Sequence, residues 1–278
     1  MRPDTGFPAR IICFFLLLVF VPRTVSGFPG LPEPRAGAFP LRLPLDIPLF
    51  AAGAGLTVSA LFFSDSGAEW DGVQYDPGSL PAFDRPFAHA YSFGLDAAGD
   101  VLLGISMAAP LSLLAFAPEE WLPVSVMYAE TLLLANGIKE TLKNAVRRPR
   151  PFMYADNPPR RDVESGDFLR SFPSGHTTMA FASAAFFSYT FAEYFPESPW
   201  RWPVVAGSFA FAAATAGLRI ASANHFPTDV LAGALIGSAA GFLVPFSHTV
   251  MRKNCGENKT GSVSVSFSPC GTSVRLCW

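Results

Sequence analysis

A series of long apolar stretches, separated by short polar or proline-rich segments, is the feature that most constrains the fold of this chain. Half of its 278 residues are hydrophobic, only 15% are charged, and the mean hydropathy is +0.31. Most stretches lie near the lower end of the ~17–25 residues that a helix needs to cross a bilayer. Because backbone polar groups in a bilayer must be paired within the segment, such stretches predict helices. We therefore expect an all-α bundle of about six apolar, transmembrane helices.

The predicted helices carry two features that bear on packing and function. Their approximate bounds are 47–63, 97–116, 121–146, 174–195, 203–220 and 227–246. Gly233, Gly237 and Gly241 recur at four-residue spacing in the last helix, and a stripe of small residues predicts close packing against a neighbouring helix. Glu130 lies inside the third apolar stretch. A carboxylate there is either a functional group or a polar partner for another helix.

The two ends of the chain differ from the apolar region between them. Residues 1–27 combine basic residues with a short apolar run followed by small residues, which is typical of a signal peptide; an uncleaved N-terminal anchor is the alternative. Residues 28–46 are rich in Pro and Gly and are predicted to be a linker. A helical domain is expected over residues 47–250, with a motif-bearing core at 97–247. In the Cys-containing tail, 251–278, Val and Phe alternate with Ser around a turn, which predicts a short β-hairpin-like structure.

The charge pattern indicates an anionic ligand other than nucleic acid. The net charge of −2 gives no electrostatic reason to expect a nucleic-acid partner. Eight Lys and Arg residues nevertheless fall between positions 139 and 170. Such a run is also typical of a cytoplasmic loop under the positive-inside rule. Its spacing relative to two later motifs favours a binding site.

The first two of three short motifs place cations and backbone N–H groups at predicted helix ends. Lys143 lies at the end of the third helix, and Arg150 follows in a turn that two prolines hold extended. The second motif is Pro-Ser-Gly-His. Its Ser174 is suited to cap the fourth helix, so that Gly175 and His176 occupy the first turn and present unpaired N–H groups to an anion.

The third motif joins Arg219, at the end of the fifth helix, to His225 and to Asp229 in the first turn of the sixth. The Asp229 carboxylate is placed to reach back to the ring of His225 and fix its tautomer, which leaves the other ring nitrogen free as a nucleophile. Fixed cations and a helix N-terminus bind phosphate, while two histidines suit covalent phosphoryl transfer. An up-and-down bundle would bring all three motifs to one face. The sequence therefore predicts a phosphatase site at that face.

In this order and spacing the motifs resemble those of the phosphatidic acid phosphatase type 2 superfamily, which includes lipid phosphatases, bacterial acid phosphatases and vanadium haloperoxidases. The family pattern is K-x6-R-P, then P-S-G-H, then S-R-x5-H-x3-D, and it is matched between Lys143 and Asp229. One departure is Leu218, which stands where the pattern has serine. The resemblance extends over residues 97–247.

The resemblance implies a role for each matched residue. His225 would attack phosphorus and form a phosphohistidine, Asp229 would orient it, and His176 would protonate the leaving group and later activate water. The residues expected to hold the phosphoryl oxygens are Lys143, Arg150, Ser174, Gly175 and Arg219. No metal and no other cofactor is implied, because the fixed cations would stabilise the developing charge.

Together with the apolar composition, the resemblance predicts a membrane-associated, metal-independent phosphoric ester hydrolase that acts on lipid phosphates or diphosphates. Its partners would be the lipid substrate and the bilayer, and no oligomeric state follows from the sequence. We expect a multi-pass protein of the bacterial inner membrane with its site facing the periplasm. One alternative is an exported, periplasmic acid phosphatase for soluble phosphomonoesters. The other is a non-enzymatic protein that binds or transports anionic lipids, which would need the cations but not two histidines.

Overall fold

The structure, a computed structural model, describes residues 31–62, 69–257, 262–268 and 271–277. Six long helices dominate the described chain, which confirms the predicted all-α bundle. They are α1 (Leu43–Phe62), α2 (Phe93–Ala108), α3 (Trp121–Val146), α4 (Gly175–Tyr194), α5 (Arg201–Ala221) and α6 (Pro227–Glu257). The predicted signal peptide or anchor, residues 1–27, lies outside the described residues.

Two helix ends differ from the sequence expectation for local reasons. α1 begins at Leu43, within the predicted linker, because a proline is tolerated in a first turn and the Asp46 carboxylate accepts a hydrogen bond from the Arg42 N–H at 2.5 Å. Regular helix in α2 ends at Ala108 because Pro110 lacks a backbone N–H. A 3₁₀ turn and a short helix then continue to Phe116.

Four helical segments are long and apolar enough to cross a membrane: Leu43–Phe62, Phe93–Phe116, Arg201–Ala221 and Pro227–Arg252. Their outward faces carry large exposed apolar side chains. Leu61, Phe62, Trp202 and Leu235 are each more than 70% exposed. A soluble monomer rarely exposes this much apolar surface, whereas a bilayer would cover it. The protein is therefore a helical membrane bundle.

The helices run up and down, so that alternate ends meet. α1 is parallel to α3, since Asn144 near the end of α3 donates to the carbonyl of Ala60 near the end of α1, at 2.7 Å. α4 is parallel to α6, since Ser174 at the start of α4 lies against Gly233 near the start of α6. The C-terminal ends of α1, α3 and α5 thus share one face with the N-terminal ends of α2, α4 and α6. We call this the motif face.

The glycine stripe on α6 packs directly on the backbone of α4, as the four-residue spacing predicts. A Cβ atom on Gly237 would lie 2.1 Å from the carbonyl oxygen of Thr178, and one on Gly241 would lie 2.2 Å from that of Ala182. No side chain fits in such a gap. The stripe therefore fixes α6 against α4, the central helix, which is buried along most of its length.

Two further elements complete the described chain. A loop over residues 69–92 covers the motif face, where the Gln74 amide donates to the carbonyl of Tyr154 at 2.9 Å. After α6, strands β1 (Ser262–Ser268) and β2 (Gly271–Cys277) pair antiparallel in the tail. We assign this tail no function.

Candidate active site

The three sequence motifs come together at the motif face. Three basic side chains, Lys143, Arg150 and Arg219, are at most 8% exposed there. A Cβ atom on Gly175, the first residue of α4, would lie 3.6 Å from the Lys143 ammonium nitrogen. Buried cations repel one another, so a group of three favours the entry of an anion.

The start of α4 has the capping geometry expected from the sequence. The Ser174 hydroxyl accepts a hydrogen bond from the Thr177 N–H at 3.5 Å and also contacts the Thr177 hydroxyl at 2.9 Å. The Ser174 N–H donates to the Asp229 carbonyl at 3.0 Å, which ties the start of α4 to α6. The N–H groups of Gly175 and His176 belong to the first turn, which has no intrahelical acceptor for them.

A network of polar side chains holds the two arginines in place. Arg150 donates to the Asp167 carboxylate at 2.5 Å and to the side-chain oxygen of Asn224 at 3.0 Å. The Asn224 amide in turn donates to Asp96 at 2.9 Å, and Asp96 forms an ion pair with Arg219. The guanidinium groups are therefore fixed before any ligand arrives, which is the condition for strong electrostatic stabilisation of a transition state.

The positive charge also acts on the carboxylate beside it. Burial raises the pKa of Asp167, but Arg150, Lys143 and Arg170 outweigh that effect, so the pKa lies below its ordinary value. Asp167 is therefore ionised at neutral pH and holds Arg150 as one half of an ion pair.

His225 is 1% exposed and has the tautomer that a nucleophile needs. Its Nδ1 lies 2.7 Å from the carbonyl oxygen of Ser171. Because a carbonyl only accepts, Nδ1 carries the proton and Nε2 keeps its lone pair. Burial lowers the pKa of His225 well below its ordinary value, and the charges of Arg150, Arg219 and Lys143 lower it further. The imidazole is therefore neutral at pH 7.

Asp229 has partners other than the His225 ring with which the sequence analysis paired it. One carboxylate oxygen accepts from Arg148 at 2.5 Å, and the other accepts from the Ser171 hydroxyl at 2.6 Å and the Phe226 N–H at 2.8 Å. In the first turn of α6 the carboxylate caps that turn, while the Ser171 carbonyl already takes the ring N–H. Asp229 thus reaches His225 through Ser171.

His176, the second predicted histidine, contacts an acidic residue that the sequence analysis did not place in the site. Its Nε2 lies 2.6 Å from Asp100 on α2, and Asp100 also lies 3.6 Å from Arg219. The Asp100 side chain is 61% exposed. This histidine therefore lies at the open side of the site, while His225 lies at its buried side.

Sequence reasoning also missed a buried ion-pair group made by Arg148 and Asp84. Arg148 donates to Asp84 at 2.8 Å and to Asp229, and its guanidinium carbon lies 4.4 Å from the centre of the Phe226 ring. Asp84 is fully buried and accepts from the N–H and hydroxyl of Thr228, at 3.2 and 2.6 Å. In the sequence nothing separates Arg148 from the other basic residues of its run. Asp84 lies in a loop that offered only its acidic charge as a signal.

An apolar cavity of about 230 Å³ lies between α2, α4 and α5, further into the bundle than the motif face. Most of its lining is hydrophobic, including Ile105, Phe187, Val204 and Phe211. Ile105 follows Asp100 on α2 by little more than one helical turn, and Phe211 precedes Arg219 on α5 by about two. The nearest lining residues therefore lie one to two helical turns from the cationic site, and the rest of the cavity lies deeper in the bundle.

Comparisons with known proteins point to one family. Residues 125–252 match the model of the PAP2 superfamily. Over 125 residues the chain is 34% identical to a Porphyromonas gingivalis protein named lipid A 1-phosphatase; the match covers 45% of this chain and 24% of that protein. The chain thus spans about a quarter of the length of this curated relative.

A solved structure was also matched: the crystal structure of the first transmembrane PAP2 type phosphatidylglycerolphosphate phosphatase from Bacillus subtilis. The match covers 89% of this chain and 96% of that chain, at 19% identity and a TM-score of 0.41.

Proposed function

We propose that this chain, whose residues 125–252 match the PAP2 superfamily model, is a multi-pass membrane phosphatase for lipid phosphates or diphosphates. The observation that carries the proposal is a neutral, buried His225 beside three buried basic side chains, at one end of an apolar bundle. The cations attract a phosphate, the neutral imidazole can attack it, and the bundle keeps the lipid chains in the membrane.

In the proposed first step, Nε2 of His225 attacks the phosphorus atom. A nitrogen–phosphorus bond forms while the bond from phosphorus to the lipid oxygen breaks. His176 must hold a proton for this step and gives it to the departing oxygen; burial lowers the pKa of His176, and its hydrogen bond with Asp100 opposes that shift. The products of this step are a dephosphorylated lipid and a phosphohistidine.

In the second step His176 takes a proton from water, and the resulting hydroxide attacks the phosphohistidine. The nitrogen–phosphorus bond breaks, inorganic phosphate leaves, and both histidines return to their starting states. Asp229 keeps His225 oriented through Ser171 in both steps.

The negative charge that develops on the phosphoryl oxygens faces Lys143, Arg150, Arg219 and the first-turn N–H groups of α4. Ion pairs hold the two guanidinium groups and the helix holds the N–H groups, so these donors need little reorganisation during the reaction. Removing one donor of this kind typically slows turnover by ~10²–10³. In this scheme the fixed cations do the work that a metal ion does in many other phosphoryl-transfer sites.

Two observations favour a lipid over a soluble phosphomonoester. The apolar cavity lies one to two helical turns from Asp100 and Arg219, where the acyl chain of a bound lipid would pass. The outward faces of the bundle are apolar, so lipid can reach the site within the membrane. Because one relative is named a lipid A 1-phosphatase, a lipid A phosphate is the first substrate to test.

We further propose that the motif face lies on the periplasmic side of the bacterial inner membrane. The acidic and aromatic loop over residues 69–92 lies on this face. Some of the basic residues there are paired within the site, namely Arg148 with Asp84 and Arg150 with Asp167. They therefore argue less for a cytoplasmic loop than their number suggests. α1 begins and α6 ends at the opposite face, so this orientation puts both of those ends on the cytoplasmic side. It therefore fits an uncleaved N-terminal anchor and not a cleaved signal peptide.

Cysteine labelling in spheroplasts tests this orientation. A chain without its native cysteines would carry either Asp156→Cys at the motif face or Glu197→Cys at the opposite face; both positions are exposed. We expect a membrane-impermeant maleimide to label position 156 in intact spheroplasts and position 197 only after permeabilisation. The reverse pattern would place the site in the cytoplasm.

Trapping the covalent intermediate tests the proposed chemistry. An aryl phosphate has a good leaving group and does not need protonation in the first step. We expect His176→Ala to accumulate phosphohistidine from a ³²P-labelled aryl phosphate, in an alkaline quench that preserves this acid-labile bond. His225→Ala should take up no label. Equal labelling of the two variants would reject His225 as the nucleophile.

A further inference from the structure

Three titratable side chains that the proposed mechanism does not use meet at the face opposite the motif face. They are Asp46 at the start of α1, Glu130 on α3 and His248 near the end of α6. Nε2 of His248 lies 3.4 Å from an Asp46 oxygen and 3.6 Å from a Glu130 oxygen. Glu130 precedes Lys143 by thirteen residues on the same helix, which puts this group roughly 20 Å from the phosphate site. We call it the Asp-Glu-His cluster.

The facing atoms of the cluster make no hydrogen bonds within the described part of the chain. This holds for both Glu130 oxygens, one Asp46 oxygen and Nε2 of His248. The side chains of Glu130 and His248 are fully buried, and that of Asp46 is 13% exposed. Leaving a buried carboxylate without a partner costs several kcal/mol, so the arrangement calls for a compensating ligand.

The spacing of the atoms fits a shared metal ion better than a shared proton. A charge-assisted hydrogen bond between imidazolium and carboxylate would bring N and O to about 2.7–2.9 Å. In a tetrahedral zinc site with bonds of about 2.0–2.1 Å, neighbouring ligand atoms lie roughly 3.3–3.4 Å apart. The distances of 3.4 and 3.6 Å match the second geometry.

Hydrogen bonds on the far side of two cluster residues hold their side chains in place. Metal ligands in proteins are commonly oriented by hydrogen bonds of this kind. Nδ1 of His248 lies 3.2 Å from the carbonyl oxygen of Pro40, so Nδ1 holds the proton and the lone pair of Nε2 faces the cluster. The other Asp46 oxygen accepts from the Arg42 N–H at 2.5 Å. The ligand atoms of His248 and Asp46 are thus presented with their lone pairs inward.

We propose that Asp46, Glu130 and His248 bind one divalent transition-metal ion, with zinc as the best-fitting example. One histidine with two carboxylates suits zinc, whereas calcium and magnesium prefer oxygen ligands alone. The ion joins α1, α3 and α6, which are far apart in the sequence, at the end of the bundle that the phosphate site does not hold. Its role is to stabilise the bundle, because metal-binding free energy adds to folding free energy.

Metal analysis of the purified protein tests the proposal. The full chain is prepared in detergent through a tag without histidine, its cysteines are alkylated, and it is dialysed against chelator and then against Zn²⁺. We expect about one zinc per wild-type chain and less than about a tenth of that in Glu130→Gln and in His248→Gln. His89→Gln is the matched control, because His89 lies in the loop over residues 69–92 and outside the cluster, and it should bind as the wild type does.

Thermal unfolding gives a second readout. Zn²⁺ should raise the melting temperature of the wild type and of His89→Gln, and leave Glu130→Gln and His248→Gln unchanged. Mg²⁺ and Ca²⁺ at the same concentration should have no effect. A wild type that binds much less than one zinc, or cluster variants that bind as much as the wild type, would overturn the proposal.

If a cluster variant fails to fold, X-ray absorption at the zinc edge identifies the ligands of the bound ion in the wild type alone. We expect nitrogen and oxygen neighbours with the outer-shell scattering of one imidazole. Sulfur neighbours, or no imidazole, would reject the site. None of these measurements depends on phosphatase activity. A negative result would therefore reject the metal site without bearing on the proposed function.

Discussion

Nδ1 of His225 donates to the carbonyl oxygen of Ser171 across 2.7 Å, so a backbone group sets the tautomer of the proposed nucleophile. The hydroxyl of the same serine donates to Asp229 at 2.6 Å. Asp229 therefore holds Ser171 in place, and Ser171 in turn orients His225. Loss of the Asp229 carboxylate should weaken the orientation of His225 without abolishing it.

The first prediction follows from this indirect contact. Asp229→Asn should lower kcat by about tenfold to a hundredfold, the range typical when an outer partner of a reacting group is weakened, with little change in KM. Ser171→Ala removes only the hydroxyl contact, keeps the carbonyl, and should cost less. Steady-state kinetics on one lipid phosphate would measure both. A change confined to KM, or a larger loss for Ser171→Ala, would contradict the orienting role.

A second prediction concerns the pair of Asp100 and His176. Asp100→Asn should lower kcat by roughly tenfold, because the carboxylate no longer holds the acid–base histidine. The double variant Asp100→Asn, His176→Ala should be no slower than His176→Ala alone, since the two residues act as one unit. The kinetic double-mutant cycle measures this. Independent, additive losses would show that Asp100 acts on something other than His176.

The lowered pKa of His225 gives a prediction about stability and pH. Burial and the nearby cations keep its pKa well below the ordinary value in the folded protein. Below about pH 6.5 the unfolded chain binds a proton at this histidine and the folded chain does not, so stability falls as the pH falls. Above that pH the residue contributes nothing to the pH dependence.

The wild type should therefore lose more stability between pH 6.5 and pH 5 than His225→Gln, by up to about 1.4 kcal/mol per pH unit. Melting temperatures in detergent at a series of pH values provide the measurement. Parallel decreases in the two proteins would mean that His225 is protonated in the folded state.

The contact between α4 and α6 gives a prediction about packing. Gly237→Ala places a methyl group where the Thr178 carbonyl lies, and forcing the helices apart should cost about 1–3 kcal/mol. Gly217→Ala on α5 is the matched control, because a Cβ atom there would meet nothing within 4 Å. It should be neutral or slightly stabilising, as alanine favours helix. Equal melting temperatures for the two variants would argue against the backbone contact.

Local patterns in the sequence sufficed for much of the fold and for part of the site. Apolar stretches between prolines and polar segments predicted six helices in the observed order. The cap at Ser174 and the glycine stripe on α6 were also predicted, because both depend on residues close together in the chain.

Contacts between distant segments were not predictable in this way. The pairs of Arg148 with Asp84 and of His176 with Asp100 depend on which helix ends meet, and no spacing in the sequence encodes that. The same is true of Glu130. The sequence marked it as either functional or structural, but its two neighbours come from the first and last helices.

Phosphate release by the purified protein tests the central claim most directly. Wild type and His225→Ala would be compared in detergent with a chelator present, on a lipid A phosphate, a long-chain lipid phosphate, undecaprenyl diphosphate and a soluble aryl phosphate. We expect the wild type to release phosphate from at least one lipid, and His225→Ala to release none while unfolding at a similar temperature. Release by the wild type from the aryl phosphate alone, or undiminished release by His225→Ala, would contradict a lipid phosphatase that works through His225.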